Sequence, residues 1–140
     1  MRKIEKQMNE AISKEIDWKK DNTEVVSYTN SSDVYLHGNL IARIGETWME
    51  LFDGGYQSNT TKSRLNAILQ AHGCEGEYVF QKNFQWFINY QGSPIPFFSG
   101  MRLAWFHPAQ SNNLVWYLCS LLHTKLHTIN VNGGIKLSLH

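Results

Sequence analysis

Residues that would build a cross-linked or membrane-bound protein are scarce in this chain. Its 140 residues include only two cysteines, Cys74 and Cys119, too few for a disulfide framework or a zinc ribbon. The longest apolar run, residues 114–122 with a serine inside it, is too short to span a bilayer. Charges interrupt the first six residues, so no signal peptide is expected. These absences predict a protein that works in a reducing cytoplasm and has no membrane partner.

Net charge is also nearly absent. The chain carries 13 basic and 12 acidic residues, a formal charge of +1. This excludes the strongly basic surface of many nucleic-acid-binding domains, although a local basic patch stays open. Apolar residues are plentiful at 42% and aromatic residues reach 13%, which excludes disorder. A chain of this length is expected to form one domain with a substantial core.

The order of periodic segments predicts an α+β fold. An apolar stripe predicts an N-terminal helix over residues 1–20. An antiparallel β-meander follows as far as Phe52, with a hairpin turn at Gly38-Asn39. A central helix over Thr60–His72 comes next, and Gly73 is expected to end it in a left-handed conformation. An aromatic β-hairpin over Tyr78–Tyr90 then turns at Lys82-Asn83. Pro94 and Pro96 place the next short segment at a sheet edge. The stripe of the N-terminal helix comprises Ile4, Met8, Ala11, Ile12 and Ile16.

The last 36 positions differ in composition from the rest of the chain. Residues 105–140 contain no Asp or Glu and hold four of the six histidines. A helix over residues 114–126 and a short hairpin over residues 129–137 are expected there. We therefore divide the chain into a single α+β domain, residues 1–104, and a distinct C-terminal segment whose packing on that domain stays open.

The start of the central helix is the main candidate site. Short side-chain oxygens that cap helix amides precede it, and Lys62 and Arg64 follow in a first turn where the helix dipole favours acids. Glycines, free amides and cations together predict an anion or phosphate site; the alternative is that both cations are simply solvated. The predicted anion- or nucleic-acid-binding residues are Ser58, Asn59, Thr60, Thr61, Lys62, Arg64, Lys82 and Trp86.

Trp86 belongs to this set through the aromatic strand. Phe84, Trp86, Ile88 and Tyr90 alternate and so share one strand face. That face is expected to be core; if it were exposed, it would offer a base-stacking platform beside Lys82. Protein interfaces favour the same aromatic residues, so exposure alone does not identify the partner.

Metal and nucleophile chemistry have weaker support. Cys119, His123 and His127 are spaced to share a helix face and are candidate zinc ligands, but a fourth ligand is missing. No cofactor is predicted.

Cys74 with His72 or His37 could supply a nucleophile and a base. Cys74 follows a helix C-terminus, however, where the thiol pKa is raised rather than lowered. Asp53 precedes two glycines and is interpreted as a turn residue rather than as the partner of Glu50 in a catalytic carboxylate pair.

Three blocks of sequence, residues 34–42, 53–66 and 79–87, resemble small proteins of marine and other tailed phages. The resemblance covers residues 1–104 and departs at Trp105. It implies a phage origin and action inside a bacterial cell, and it carries over no catalytic residue.

Three functional classes remain open. The first is a nonenzymatic binding module in the host cytoplasm, with a protein or a single-stranded nucleic acid as partner. The second is a homo-oligomeric structural or virion-associated protein that self-associates through Ile4, Met8, Ile12 and Ile16 and the aromatic sheet. The third is a small enzyme.

Overall fold

The computed structural model describes residues 1–105, which contain two helices and nine strands in two antiparallel sheets. The helices are α1 (Lys3–Lys14) and α2 (Asn59–His72). The larger sheet has the order β1-β2-β3-β4-β5-β9. Its strands are β1 (Trp18–Lys20), β2 (Thr23–Ser27), β3 (Ser31–Leu36), β4 (Asn39–Gly45), β5 (Trp48–Leu51) and β9 (Met101–Ala104). The smaller sheet contains β6 (Tyr78–Lys82), β7 (Gln85–Tyr90) and β8 (Ser93–Pro96).

The predicted α+β class with an antiparallel meander is confirmed. Neither helix within residues 1–105 is long and apolar enough to cross a membrane. The helix and hairpin expected in the C-terminal segment lie outside the described residues, as do the zinc candidates Cys119, His123 and His127.

Helix α1 is shorter than predicted, and its apolar stripe faces its own domain. The helix ends at Lys14 because Glu15 adopts a left-handed conformation (φ 56°), and the chain then turns into β1. Met8 and Ile12 are buried, whereas Ile16 lies beyond the helix and is 48% exposed. The prediction that this stripe is an exposed surface for self-association is therefore wrong, because its central residues pack against α2 and the larger sheet.

Helix α2 forms as predicted. The Ser58 hydroxyl accepts a hydrogen bond from the Thr61 amide at 3.0 Å and so caps the helix start. The apolar face of the helix is fully buried through Leu65, Ile68 and Leu69. Gly73 ends the helix with φ −88° rather than in the expected left-handed conformation. A Cβ there would lie 2.7 Å from the Leu69 carbonyl oxygen, so close approach explains the glycine.

The larger sheet has an apolar face and a charged face. Val25 opposes Val34, and Met49 opposes Leu103, within the apolar core. On the other face, adjacent strands place charges of alternating sign in register. That row consists of Asp33, Arg43, Glu50 and Arg102.

Side chains and prolines protect the β9 edge of the larger sheet and both edges of the smaller sheet. The Tyr90 hydroxyl donates to the Ala104 carbonyl of β9 at 3.3 Å and accepts from its amide at 3.5 Å. The Asn66 amide group on α2 makes the same pair of bonds to Val79 of β6, at 2.9 and 2.6 Å. The outer strand β8 contains two prolines, as predicted for an edge. These contacts satisfy backbone groups that would otherwise attract another strand.

The hairpin turns lie one residue away from their predicted positions. Positive φ values occur at His37 and Gly38, and at Asn83 and Phe84, instead of at Gly38-Asn39 and Lys82-Asn83. For the second hairpin the shift has a large consequence, because it moves Phe84 from a strand face to the tip of the turn.

Candidate functional site

Arg64 is not available to an external anion. It is 3% exposed, and its Nη1 atom lies 2.9 Å from Oε2 of Glu5. Its Nε donates to the Thr23 hydroxyl at 3.0 Å, and its Nη2 donates to Asn22 Oδ1 at 3.3 Å. The expectation that Arg64 binds an external anion is therefore wrong, because its guanidinium group is hydrogen-bonded within a buried network.

Glu5 completes that network. Its carboxylate also accepts from the Ser63 hydroxyl at 2.6 Å and from the Arg2 amide at 3.1 Å. Burial on its own would raise the pKa of Glu5, but the bonds from Ser63, Arg2 and Arg64, with the positive charge of Arg64, hold that pKa below its ordinary value. The ion pair thus joins the start of α1 to the start of α2.

The remaining residues of the predicted anion site are partly engaged within the domain. The hydroxyls of Ser58 and Thr61 lie 2.9 Å apart and bond each other, and Thr61 is buried. Asn59 is exposed and Thr60 and Lys62 are half-buried at the helix start. Lys82 belongs to the smaller sheet. Lys62 therefore lies beside cap oxygens that already bind the helix itself.

The predicted alternation on the aromatic strand is confirmed for Trp86, Ile88 and Tyr90, which are all buried. The Trp86 indole makes an edge-on contact with the Phe97 ring, with 5.5 Å between centroids. The base-stacking reading of Trp86 is therefore wrong, because this strand face is core.

The opposite face of the smaller sheet is the exposed aromatic surface. Tyr78 and Phe80 lie 5.5 Å apart between ring centroids, and Phe80 stacks on Phe87 at 5.6 Å with a 20° angle between rings. Strand register places Pro96 opposite Phe87 and Pro94 opposite Asn89 on the same face. We call this surface the aromatic face; it consists of Tyr78, Phe80, Phe87, Pro94 and Pro96, with Phe84 in the turn at its end.

Phe84 is the most exposed large apolar side chain in residues 1–105, at 96%. It also has φ 64°, a left-handed conformation that is unfavourable for a bulky residue. Its own domain gains no burial from this side chain to offset the backbone cost. The two-residue hairpin turn imposes this conformation on both of its positions, where Asn, Asp or Gly is the usual residue.

The aromatic face carries almost no charge. Lys82 is the sole charged residue among positions 78–96. The register places the amide side chains of Gln85 and Asn89 on this face, and Asn83 lies in the turn at its end. An aromatic centre with an uncharged polar rim matches the anatomy of protein–protein interfaces.

A buried carboxyl group lies beneath the other end of the same sheet. Both Glu77 oxygens accept from the Trp105 indole N–H at 2.9 Å, and Oε1 also accepts from the Cys74 amide at 2.8 Å. Burial raises the pKa of Glu77 to about 7, although these hydrogen bonds oppose the shift. Sequence reasoning missed Glu77, which lies in a turn that looked solvent-exposed.

Cys74 is not activated as a nucleophile. Burial, followed by the nearby charge of Glu77, raises the pKa of the Cys74 thiol to about 12. The thiolate needed for nucleophilic attack is therefore scarce at neutral pH. Asp53 is a turn residue as interpreted from the sequence, since its carboxylate accepts from the Gly55 amide at 2.8 Å. Within residues 1–105 no three His, Cys, Asp or Glu side chains are grouped to hold a metal ion.

Glu77 should make stability depend on pH. Its folded-state pKa lies above the ordinary value of 4.5, so the folded state binds the proton more tightly than the unfolded chain does. The stabilisation is fully present below pH 4.5 and is lost as pH rises through 7. The loss is expected to reach at most about 3 kcal/mol.

Glu77→Gln keeps an acceptor for the Trp105 and Cys74 N–H groups but cannot ionise. Relative to wild type, the Gln variant should therefore gain stability steadily between pH 4.5 and 7.5. Urea unfolding of both proteins across this range measures the difference between their free energies of unfolding. Burial lowers the pKa of His72 and so gives the opposite pH dependence. That contribution is the same in both proteins and cancels in the difference. A constant difference across the range would contradict the assignment.

Comparison with known proteins identifies one family. The sequence model of the Kyanoviridae Gp96 protein family matches residues 1–104. This is a family of proteins from marine cyanophages. No curated protein and no solved structure matches the chain. The matched range ends one residue short of Trp105, the last residue that the structure describes.

Proposed function

Because the chain belongs to the Kyanoviridae Gp96 family of phage proteins, we propose that it acts in the host cytoplasm as a nonenzymatic binding module whose partner is a protein. The observation that carries this proposal is Phe84, 96% exposed and left-handed at the edge of a stacked aromatic face. Burial of this side chain by a partner would supply the favourable energy that its own fold does not.

The charge of the aromatic face favours a protein over a nucleic acid. Nucleic-acid affinity depends on several Lys or Arg contacts to phosphates, and residues 78–96 offer Lys82 alone. Arg64 is buried in its ion pair, so it adds no positive charge to a binding surface. Rings with an amide rim instead suit a partner that supplies apolar side chains.

The protected edges favour docking on the face over addition of a strand. Strand addition requires unpaired N–H and C=O groups along an edge. On β6, the Asn66 side chain already bonds the N–H and C=O groups of Val79. On β8, Pro94 and Pro96 have no N–H group that could donate to an added strand. A partner of the smaller sheet therefore contacts rings rather than backbone.

A double variant that removes exposed rings tests the proposal. Tyr78 is 49% exposed and Phe84 is 96% exposed, so Tyr78→Thr with Phe84→Asn should leave the fold intact; asparagine also tolerates the left-handed turn. The matched control, Tyr28→Thr with Tyr56→Asn, removes two rings that are 53% and 76% exposed elsewhere.

Wild-type, face-variant and control proteins are used to capture proteins from lysate of infected host cells, with and without nuclease treatment. The partner is then purified, and its dissociation constant is measured by calorimetry. The face variant should bind about 30-fold more weakly or worse, and the control should match wild type. Equal affinity of all three proteins, capture lost on nuclease treatment, or a wild-type dimer that the face variant converts to monomer would each overturn the proposal.

A further inference from the structure

A row of four charged side chains crosses the side of the larger sheet that faces away from both helices. We call it the charged row; from β3 to β9 it consists of Asp33, Arg43, Glu50 and Arg102. Its signs run negative, positive, negative, positive. Half-buried apolar side chains flank the row, with Tyr35 and Leu40 in one direction along the strands and Trp48 in the other.

The charges of the row are only partly paired within the chain. Arg43 lies 3.5 Å from Asp33, and the guanidinium of Arg102 lies over the Trp48 ring, 4.6 Å from its centroid. Glu50 lies in register between Arg43 and Arg102, yet it forms no ion pair with any residue of the described range 1–105. This half-buried carboxylate is therefore free to pair with a cation of another molecule.

The order of the signs makes the row complementary to itself. Consider a second copy that faces the first about a two-fold axis parallel to the strands, passing between β4 and β5. The rotation reverses the order of the row, so Arg43 faces Glu50 of the second copy and Asp33 faces its Arg102. All four charges of each copy then meet a charge of opposite sign. A two-fold interface requires a self-complementary patch of this kind, and complementary charges fix its register.

Other occupants match the row less well. A nucleic acid, or a protein surface of one sign, meets two like charges for every two opposite ones, and like-charge contacts are costly. Residues 106–140 contain no Asp or Glu, so they offer no carboxylate side chain to Arg43 or Arg102. A second copy satisfies both signs at once.

We propose that two copies of the chain associate through their charged rows, face to face about this two-fold axis. Trp48 lies on β5 beside the axis, so the two indoles supply apolar contact near the centre of the interface. The aromatic face belongs to the smaller sheet and takes no part in this contact. The inference therefore goes beyond the proposed protein partner, and it gives each assembly two aromatic faces with which to bind.

Charge reversal at the two central positions tests the pairing. Sedimentation equilibrium of the wild-type chain should show a dimer at micromolar concentration. Arg43→Glu alone, or Glu50→Arg alone, brings like charges together twice in the symmetric dimer, so each variant should dimerise at least about 30-fold more weakly. Lys6→Glu, at an exposed position of α1, is the matched control and should dimerise like wild type.

Recovery of the dimer separates lost pairing from lost folding. A mixture of the two single variants should form a heterodimer with nearly wild-type affinity, because a chain that is acidic at both central positions then faces one that is basic at both. The double variant Arg43→Glu with Glu50→Arg restores opposite charges across the axis and should dimerise by itself.

Three results would overturn the proposal. The first is a wild-type chain that stays monomeric at high micromolar concentration, including one in which a carbodiimide crosslinks Glu50 to Lys125 or Lys136 of the same chain. The second is a dimer that survives both single reversals. The third is a dimer that the single reversals abolish and that neither the mixture nor the double variant restores.

Discussion

Arg64→Ala is expected to lower the free energy of unfolding by about 3–5 kcal/mol. The substitution leaves the Glu5 carboxylate buried at 2% exposure without its cation, and it removes hydrogen bonds to Thr23 and Asn22. Urea unfolding at neutral pH measures the loss.

Lys62→Ala is the matched control. Lys62 lies two residues earlier on the same helix but is half-buried, so its loss should change stability by no more than about 0.5 kcal/mol. Replacing both members of the pair, Glu5→Met with Arg64→Met, should recover much of the Arg64→Ala loss because no buried charge is then left unpaired. A loss below about 1 kcal/mol in Arg64→Ala would show that the ion pair does not hold the helices together.

Trp86→Ala should cost about 3–5 kcal/mol, the range for truncating a buried tryptophan. The indole is 3% exposed and packs against Phe97, so its removal leaves a cavity beneath the smaller sheet. Thermal and urea unfolding provide the measurement.

Phe84→Asn, two residues away on the same hairpin, serves as the comparison. It removes a ring that is 96% exposed and places a turn-forming residue at a positive φ. Its stability should equal or slightly exceed that of wild type. If both substitutions cost the same, the assignment of the inner and outer faces of the hairpin is wrong.

Helical spacing in the sequence indicates that Glu5 and Arg64 are both buried, although the charge of Arg64 at a helix start suggested an exposed anion site. Arg64 lies three residues after Thr61 and four before Ile68, so helical spacing puts it on the buried face. Glu5 lies three residues before Met8 and seven before Ile12, a spacing that puts it on the buried face of α1. Opposite charges at core positions of two helices are best explained as partners, but a single helix considered alone shows only an unusual cation.

Alternation predicted which residues share a face of the hairpin, and it also favoured the correct inner face. It could not locate the exposed rings, because the second aromatic series, Tyr78, Phe80 and Phe87, is split between two strands. Their stacking depends on the register of β6 with β7, and that register changes when the turn moves by one residue.

Elements that depend on distant pairing were the ones missed. Strand β9 has only four residues and exists because it pairs with β5, some fifty positions earlier in the chain. Strand β1 was hidden by the apolar stripe of α1, which continues in sequence to Ile16 although the helix ends at Lys14. Local periodicity contains neither piece of information.

Photo-crosslinking from position 84 in infected cells tests the central claim most directly. Benzoylphenylalanine at Phe84 keeps an aromatic side chain at the most exposed point of the aromatic face, and the same residue at Tyr56, 76% exposed, serves as the control. The account predicts a discrete crosslink to another protein from position 84 and none from position 56. Crosslinks from position 84 to nucleic acid, to a second copy of the chain, or to nothing would contradict it.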